Sequence, residues 1–279
     1  MPYWQSSDIK VNGIRLHVTR TGGDKPPLVL VHGVTDDGLC WTPVAEAMAA
    51  HYDVIMVDAR GHGQSDAPEN GYDLISLAND LVGVIGALEL ERPLVMGHSM
   101  GAVTTLMMAA LHPAVPRAIV LEDPPAWWVQ SPDSDFLPRL ASIRDWIIQL
   151  KRKTRAQILD EGRTQNPGWS EAELQPWSDA KVRVSADAMV KLFAPNHTAG
   201  IIWAELLPHV TCPILAIIAD LSRGAVLTPA GVEALRKLIP QLKDEHIEGA
   251  GHSIRREQFA RYMEVVSGFL ADLPAEEHE

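Results

Sequence analysis

Apolar residues occur along the chain in short continuous runs, rich in β-branched residues and bounded by turn signals. They are "IRLHV" (14–18), "PLVLVHG" (27–33), "DVIMVD" (53–58), "PLVMGHS" (93–99), "RAIVLED" (117–123), "PILAIIAD" (213–220) and "EHIEGAGH" (245–252). Most are continuous rather than alternating, which fits strands covered on both faces of a parallel sheet. Between them, apolar positions recur at helical spacing over 41–51, 74–90, 100–112, 229–239 and 255–272. Strand alternating with helix predicts an open α/β sheet. Asn12-Gly13 joins 8–11 to 14–20 as a hairpin, which brings the strand count to eight.

The alternation stops between about 124 and 205, where the patterns "LPRLASIRDWIIQLKRK", "SEAELQPWSDAKV" and "SADAMVKLF" are all helical. Six of the eight tryptophans lie there, at 127, 128, 146, 169, 177 and 203. The expected organisation is a core built from 1–123 and 206–279, with an all-helical insertion, 124–205, after strand six. That stretch holds ten basic and ten acidic residues, so the net charge of −12 resides almost entirely on the core. A net negative chain repels polyanions, which argues against nucleic acid or an anionic membrane as a partner. Two cysteines, Cys40 and Cys212, give no disulfide framework to read. No basic start precedes an apolar stretch, and no apolar run approaches about 18 residues, so a cytoplasmic protein is expected. Oligomeric state leaves no mark in the pattern.

The chemistry begins at Gly97-His98-Ser99-Met100-Gly101, between the apolar run "PLVM" and the helical "MGAVTTLMMAAL". A sharp strand-to-helix turn strains the serine backbone, and side chains two positions either side would collide. Glycine at 97 and 101 removes those collisions and leaves the Ser99 hydroxyl projecting above the sheet. A serine hydroxyl needs a base. Most of the eleven histidines sit in glycine turns or at helix ends. His252, in "IEGAGHSIRRE", follows the last strand and is returned to the sheet edge that carries Ser99. Two backbone amides must bind the developing oxyanion: Met100, next to the nucleophile, and Val34, in the turn after "LVLVHG".

Together "VHGVTDDGLCW", "DARGHGQSD", "GHSMG" and "GAGHS" resemble the α/β-hydrolase superfamily in order and spacing, over essentially the whole chain. The resemblance implies a mostly parallel eight-stranded sheet flanked by helices, with 124–205 as the family's variable helical cap. It also implies a third, acidic residue to orient the imidazole. In most relatives that acid follows strand seven; if Ala219 here takes the usual glycine position, the acid slot holds Ser222, with Asp220 nearby. A minority resembling pancreatic lipase takes the acid from the end of strand six, where Glu122 and Asp123 stand. Alternation allows only one of those two to face His252. Asp123 is favoured, with Asp220 and Glu122 as alternatives.

Serine in the elbow excludes the haloalkane dehalogenase and epoxide hydrolase chemistry of relatives that carry aspartate there. No H-E-x-x-H, cysteine–histidine cluster or phosphate-binding glycine loop occurs, so no metal or cofactor is expected. The expected reaction is hydrolysis of a carboxylic ester or lactone through an acyl-serine. Trp127 and Trp128, just after the candidate acid, and His98, inside the elbow, are candidate contacts to a small or medium apolar or aromatic substrate. The basic run Lys151-Arg152-Lys153-Arg155 reads as a solvated helix face. Two other readings remain open: a serine-dependent C–C hydrolase of a vinylogous diketone, and a non-catalytic small-molecule-binding relative.

Overall fold

The computed structural model describes residues 4–126, 128, 142, 145–192 and 200–274. Eight strands form one sheet: β1 (Gln5–Val11), β2 (Ile14–Arg20), β3 (Pro27–Val31), β4 (Asp53–Val57), β5 (Leu94–His98), β6 (Ala118–Glu122), β7 (Ile214–Ala219) and β8 (Leu242–Ile247). Their spatial order is β1-β2-β4-β3-β5-β6-β7-β8. The β1–β2 and β2–β4 pairings are antiparallel, and all the others are parallel. Most strands lie within one or two residues of the apolar runs. The edge strands depart further: β1 begins at Gln5 rather than 8, and β8 covers 242–247 rather than 245–252. Both are largely polar, mostly exposed edge segments, so no apolar run marks their limits.

Alternating side chains feed two separate cores. Val29 and Val31 of β3 pack with α2 (Leu74–Ala87), α3 (Met100–Leu111) and α9 (Pro229–Leu238). Leu28 and Leu30 pack on the opposite face with α1 (Thr42–Met48) and α11 (Phe259–Ala271). Burial on both faces is why these strands read as unbroken apolar runs. The C-terminal helix expected over 255–272 is two helices, α10 (Ile254–Glu257) and α11, broken at Gln258. The break lets the Glu257 carboxylate accept the Gly251 N–H at 3.0 Å, which ties the helix end to the glycine turn before it.

Between β6 and β7 the described residues are helical: 145–150 (α4), α5 (Arg155–Gln165), α6 (Glu171–Arg183), α7 (Ala186–Leu192) and α8 (Trp203–Leu206). The run 151–155 is not a helix face: 151–154 form the turn between α4 and α5, and Lys151 donates to the Val182 carbonyl at 2.7 Å. Lys153 binds Glu161 at 2.7 Å, and Arg155 pairs with Asp179. No helix among the described residues is long and apolar enough to cross a membrane.

The connection from β3 leads outward to β4, and the chain then returns to place β5 on the other side of β3. This is a topological switch point, where the two exits diverge and leave a crevice beyond the carboxyl ends of the strands. At that point α3 comes so close to β3 that a Cβ on Gly101 would fall onto the backbone carbonyls of Val31 and His32, the latter at 2.6 Å. Gly101→Ala should therefore destabilise the protein by about 1–3 kcal/mol and lower Tm by several degrees in a thermal melt. Gly86→Ala, on α2 with open space around it, should leave Tm unchanged or raised. Equal melting of both variants would refute the packing constraint.

Candidate active site

Four strand ends deliver the site. Ser99 follows β5, adopts φ 51° and ψ −114°, and precedes the first residue of α3. That left-handed backbone is unfavourable for any residue but glycine, and persists only where the surroundings over-determine it. Here the Ser99 N–H donates to the Glu122 carbonyl at 3.0 Å, and the flanking glycines admit the helix. A Cβ on Gly97 would meet the Ala102 nitrogen at 2.6 Å.

His252 lies in the turn after β8. Its Nε2 is 3.0 Å from Ser99 Oγ, and its Nδ1 is 2.6 Å from Asp123 Oδ2. A carboxylate only accepts, so Nδ1 carries the proton and Nε2 is left to accept from the hydroxyl. The structure thus brings Asp123, at the end of β6, to the imidazole. Asp123 is fully buried, holds φ 41°, and accepts the Leu227 N–H at 2.9 Å and the Val226 N–H at 2.9 Å. The loop after β7, where most relatives would carry the acid, here supplies amides to an acid from the neighbouring strand.

The other candidate acids are occupied elsewhere. Glu122 points to the opposite side of the strand and binds Arg255 at 2.9 Å through both guanidinium and backbone N–H. Asp220 accepts the Gly249 N–H at 2.8 Å and pairs with His246 at 3.0 Å. Both shape the turns around the site without touching the imidazole of His252.

Met100 opens α3, so its amide has no intrahelical acceptor. Val34 is half-buried in the turn after β3, and among the described residues its amide has no acceptor either. Both are available to a ligand oxygen. The expected substrate contacts fare differently. His98 is buried, and its Nε2 donates to the His252 carbonyl at 2.9 Å, so it braces the backbone of the base. Trp128 is likewise buried, gives its indole N–H to the Gly231 carbonyl at 2.9 Å and meets Trp203 edge-on, a packing position. Trp127 lies outside the described residues.

Two further histidines shape the turn that carries Val34. His62 Nδ1 donates to the Arg60 carbonyl at 2.9 Å, and its Nε2 accepts the Thr35 N–H at 3.3 Å. His32 Nδ1 donates to the Gly33 carbonyl at 2.8 Å, and its Nε2 accepts the Ala59 N–H at 3.0 Å. Both rings must be neutral to play these parts. Burial keeps them so, lowering the His32 pKa and taking that of His62 down to about 3. Burial also holds His98 well below the usual histidine range. In the sequence His32 and His62 stand only as histidines in glycine turns, because burial, the cause of their neutrality, is invisible in the string.

The family model for the alpha/beta hydrolase fold matches residues 26–255. The chain belongs to this family. N-formylmaleamate deformylase of Pseudomonas putida is 29% identical over 264 residues, covering 94% of this chain and 95% of its own. The crystal structure of N-formylmaleamic acid deformylase from Pseudomonas putida S16 superimposes with a TM-score of 0.78 at 26% identity, over 94% of this chain and all of the other. The enol-lactonase of Burkholderia xenovorans LB400, at 23% identity, shares the fold with a TM-score of 0.76 over 95% of this chain and all of its own. This alpha/beta hydrolase is, like its relatives, a hydrolase.

The neutral histidines lower the stability of this hydrolase in acid. Their folded pKa values lie below the unfolded value of about 6.5, so below that pH the unfolded chain binds protons that the folded chain refuses. Stability is therefore lost as pH falls from about 6.5 toward the folded value, by about 1.4 kcal/mol per pH unit for each such histidine. His62→Gln should flatten the slope of unfolding free energy by about one proton between roughly pH 6 and 4 in urea titrations. An unchanged slope would mean that His62 is not held neutral.

Proposed function

We propose that the chain is a serine hydrolase that cleaves a carboxylic ester or lactone through an acyl-Ser99 intermediate. One observation carries the reading: an unbroken hydrogen-bonded line from Ser99 Oγ through His252 to the buried Asp123. In this reading His252 Nε2 takes the hydroxyl proton as Ser99 Oγ bonds to the substrate carbonyl carbon, and the carbonyl electron pair moves onto its oxygen. The Val34 and Met100 amides receive that oxyanion, Met100 from the positive end of α3. When the intermediate collapses, the bond to the alkoxide breaks and His252 returns the proton to it. Water then repeats the cycle on the acyl-serine. Asp123 holds Nδ1–H in place and stabilises the imidazolium formed in each half.

The finer substrate assignment rests on the helical insertion between β6 and β7, a cap whose charges balance and which carries most of the tryptophans. Trp128, Trp177 and Trp203 are buried in packing, so it is the balanced charge of the insertion that suits a small to medium, mostly apolar or aromatic substrate. A second reading, hydrolysis of an N-formyl amide, is favoured by the full-length similarity to N-formylmaleamate deformylase. The same residues would serve, the leaving group being an amide nitrogen that takes its proton from His252.

A fluorophosphonate should label the wild-type protein and not Ser99→Ala, as read by intact-mass spectrometry. A panel of p-nitrophenyl acetate and butyrate, lactones, N-formyl amides and a vinylogous diketone separates the reaction types. Ester or lactone turnover is expected; turnover of the diketone alone would overturn the reading. Asp123→Asn should lower kcat by about three to four orders of magnitude, because the imidazole loses its correct tautomer. Asp220→Asn should stay within a few-fold of wild type. The reverse outcome would reassign the acid.

A further inference from the structure

The densest buried charge in the described residues lies beside the line from Ser99 to Asp123. Asp36 follows the Val34 turn and is almost fully buried, with both its oxygens taken. Lys181 of α6 reaches Oδ1 at 2.8 Å, and Arg256 of α10 donates to Oδ2 at 2.9 Å. Lys181 also donates to the Thr35 carbonyl at 3.0 Å. Arg256 continues to Glu173 on α6 at 3.1 Å, while its neighbour Arg255 holds Glu122. Three carboxylates therefore face three cations, and the cations lie over the rings of Trp41, Trp169 and Trp177 at 4.1–4.8 Å. Burial alone would raise the Asp36 pKa, but Arg256, Lys181 and Arg255 outweigh it and hold the carboxyl well below its usual range.

Stability does not explain such a cluster, because buried ion pairs are often no better than apolar packing of the same volume. Position does. Each pair grips a backbone segment carrying one part of the site. Asp36 and Thr35 belong to the turn that presents Val34. Arg255 and Arg256 follow His252 within four residues, and Glu122 precedes Asp123 and accepts the Ser99 N–H. The turn itself is strained: Thr35 sits at φ 71° and needs contacts that over-determine it. Two cations of α6, outside the catalytic core, hold this turn: Arg183 pairs with Asp37 at 2.9 Å, and Lys181 takes Asp36 and reaches the Thr35 carbonyl, next to Val34.

We propose that Lys181 is a positioning residue for the oxyanion hole: by holding Asp36 and the Thr35 carbonyl, it fixes the aim of the Val34 amide and makes helix α6 part of the catalytic apparatus. The proposal rests on the acyl-Ser99 reading and deepens it. An oxyanion donor acts in the transition state, so a misaimed one lowers kcat and leaves KM alone. Deleting a donor outright costs about 10²–10³ in kcat; loosening one should cost about 10–100-fold.

Lys181→Met keeps the length and apolar stem that lie against Trp177 and removes the charge, while Lys181→Arg keeps the charge. Both are compared with wild type per fluorophosphonate-titrated serine, using the best substrate of the panel above. The inhibition constant of a trifluoromethyl ketone, whose hemiketal oxyanion occupies the same place, is measured alongside. For Lys181→Met, kcat should fall about 10–100-fold with KM within about twofold, ketone affinity should fall by the same factor, and Lys181→Arg should recover most of both. Wild-type kcat and ketone affinity per titrated serine, whatever the yield or Tm, would make Lys181 merely structural and overturn the proposal. If Lys181→Met does not accumulate folded, Lys181→Gln must give a parallel loss in kcat and ketone affinity, and wild-type values there overturn it equally. A wild-type protein that neither labels at Ser99 nor turns over any substrate removes the parent reading, a failure visible before any Lys181 variant is made.

Discussion

The site depends on one close approach: the backbone of α3 rests against the carbonyl end of β3, with glycine at the point of contact. Because no side chain separates them, the first turn of α3 lies directly beside the turn that carries Val34. The helix terminus, the serine ahead of it and the second free amide are thereby gathered at one switch point of the sheet. Everything else in the site is brought to that corner. Strand β6 delivers Asp123 from one side, and the turn after β8 carries His252 back across the strand ends.

Much of this was legible in the residues, for a physical reason in each case. Buried parallel strands are apolar throughout, so β3 to β7 announce themselves. Their partly exposed neighbours β1 and β8 do not, and their limits differ from the apolar runs. The elbow was readable because close packing demands glycine at 97 and 101 and nothing else fits. The acid was legible only as a choice among Asp123, Asp220 and Glu122. Which carboxylate faces His252 depends on the twist of one strand end and on where the β7 loop points its amides, and neither leaves a mark in local sequence. The tryptophan pattern suggested a substrate surface, yet Trp128 serves to pack the insertion onto α9. Lys181 gave a faint signal, lying seven residues after Leu174 on the buried stripe of α6 that includes Trp177 and Ser178.

Two kinds of electrostatics meet around the strand ends. On the sheet side, His32, His62 and His98 are kept neutral by burial and act as uncharged struts: His32 and His62 use one donor and one acceptor each, and His98 braces through its Nε2–H alone. Toward α6 and α10 the buried side chains are carboxylates paired with cations, and Arg256 and Lys181 hold the Asp36 carboxyl well below its usual range. The uncharged struts can brace backbone close to the nucleophile without competing for the charge that develops there. The charged grip works farther out, where its field is internally cancelled and its strength goes into holding direction.

Six residues other than glycine have positive φ among the described residues: Asn12, Thr35, Glu89, Arg92, Ser99 and Asp123. Asn12 lies in the β1–β2 turn, and Glu89 and Arg92 lie in the connection from α2 to β5. Thr35, Ser99 and Asp123 crowd together at the carboxyl ends of β3, β5 and β6. Folding by itself would favour glycine at all three, so the side chains kept there mark where conformational comfort has been given up. A map of backbone angles alone, with every side chain erased, would still point to this corner as the place where the molecule does its work.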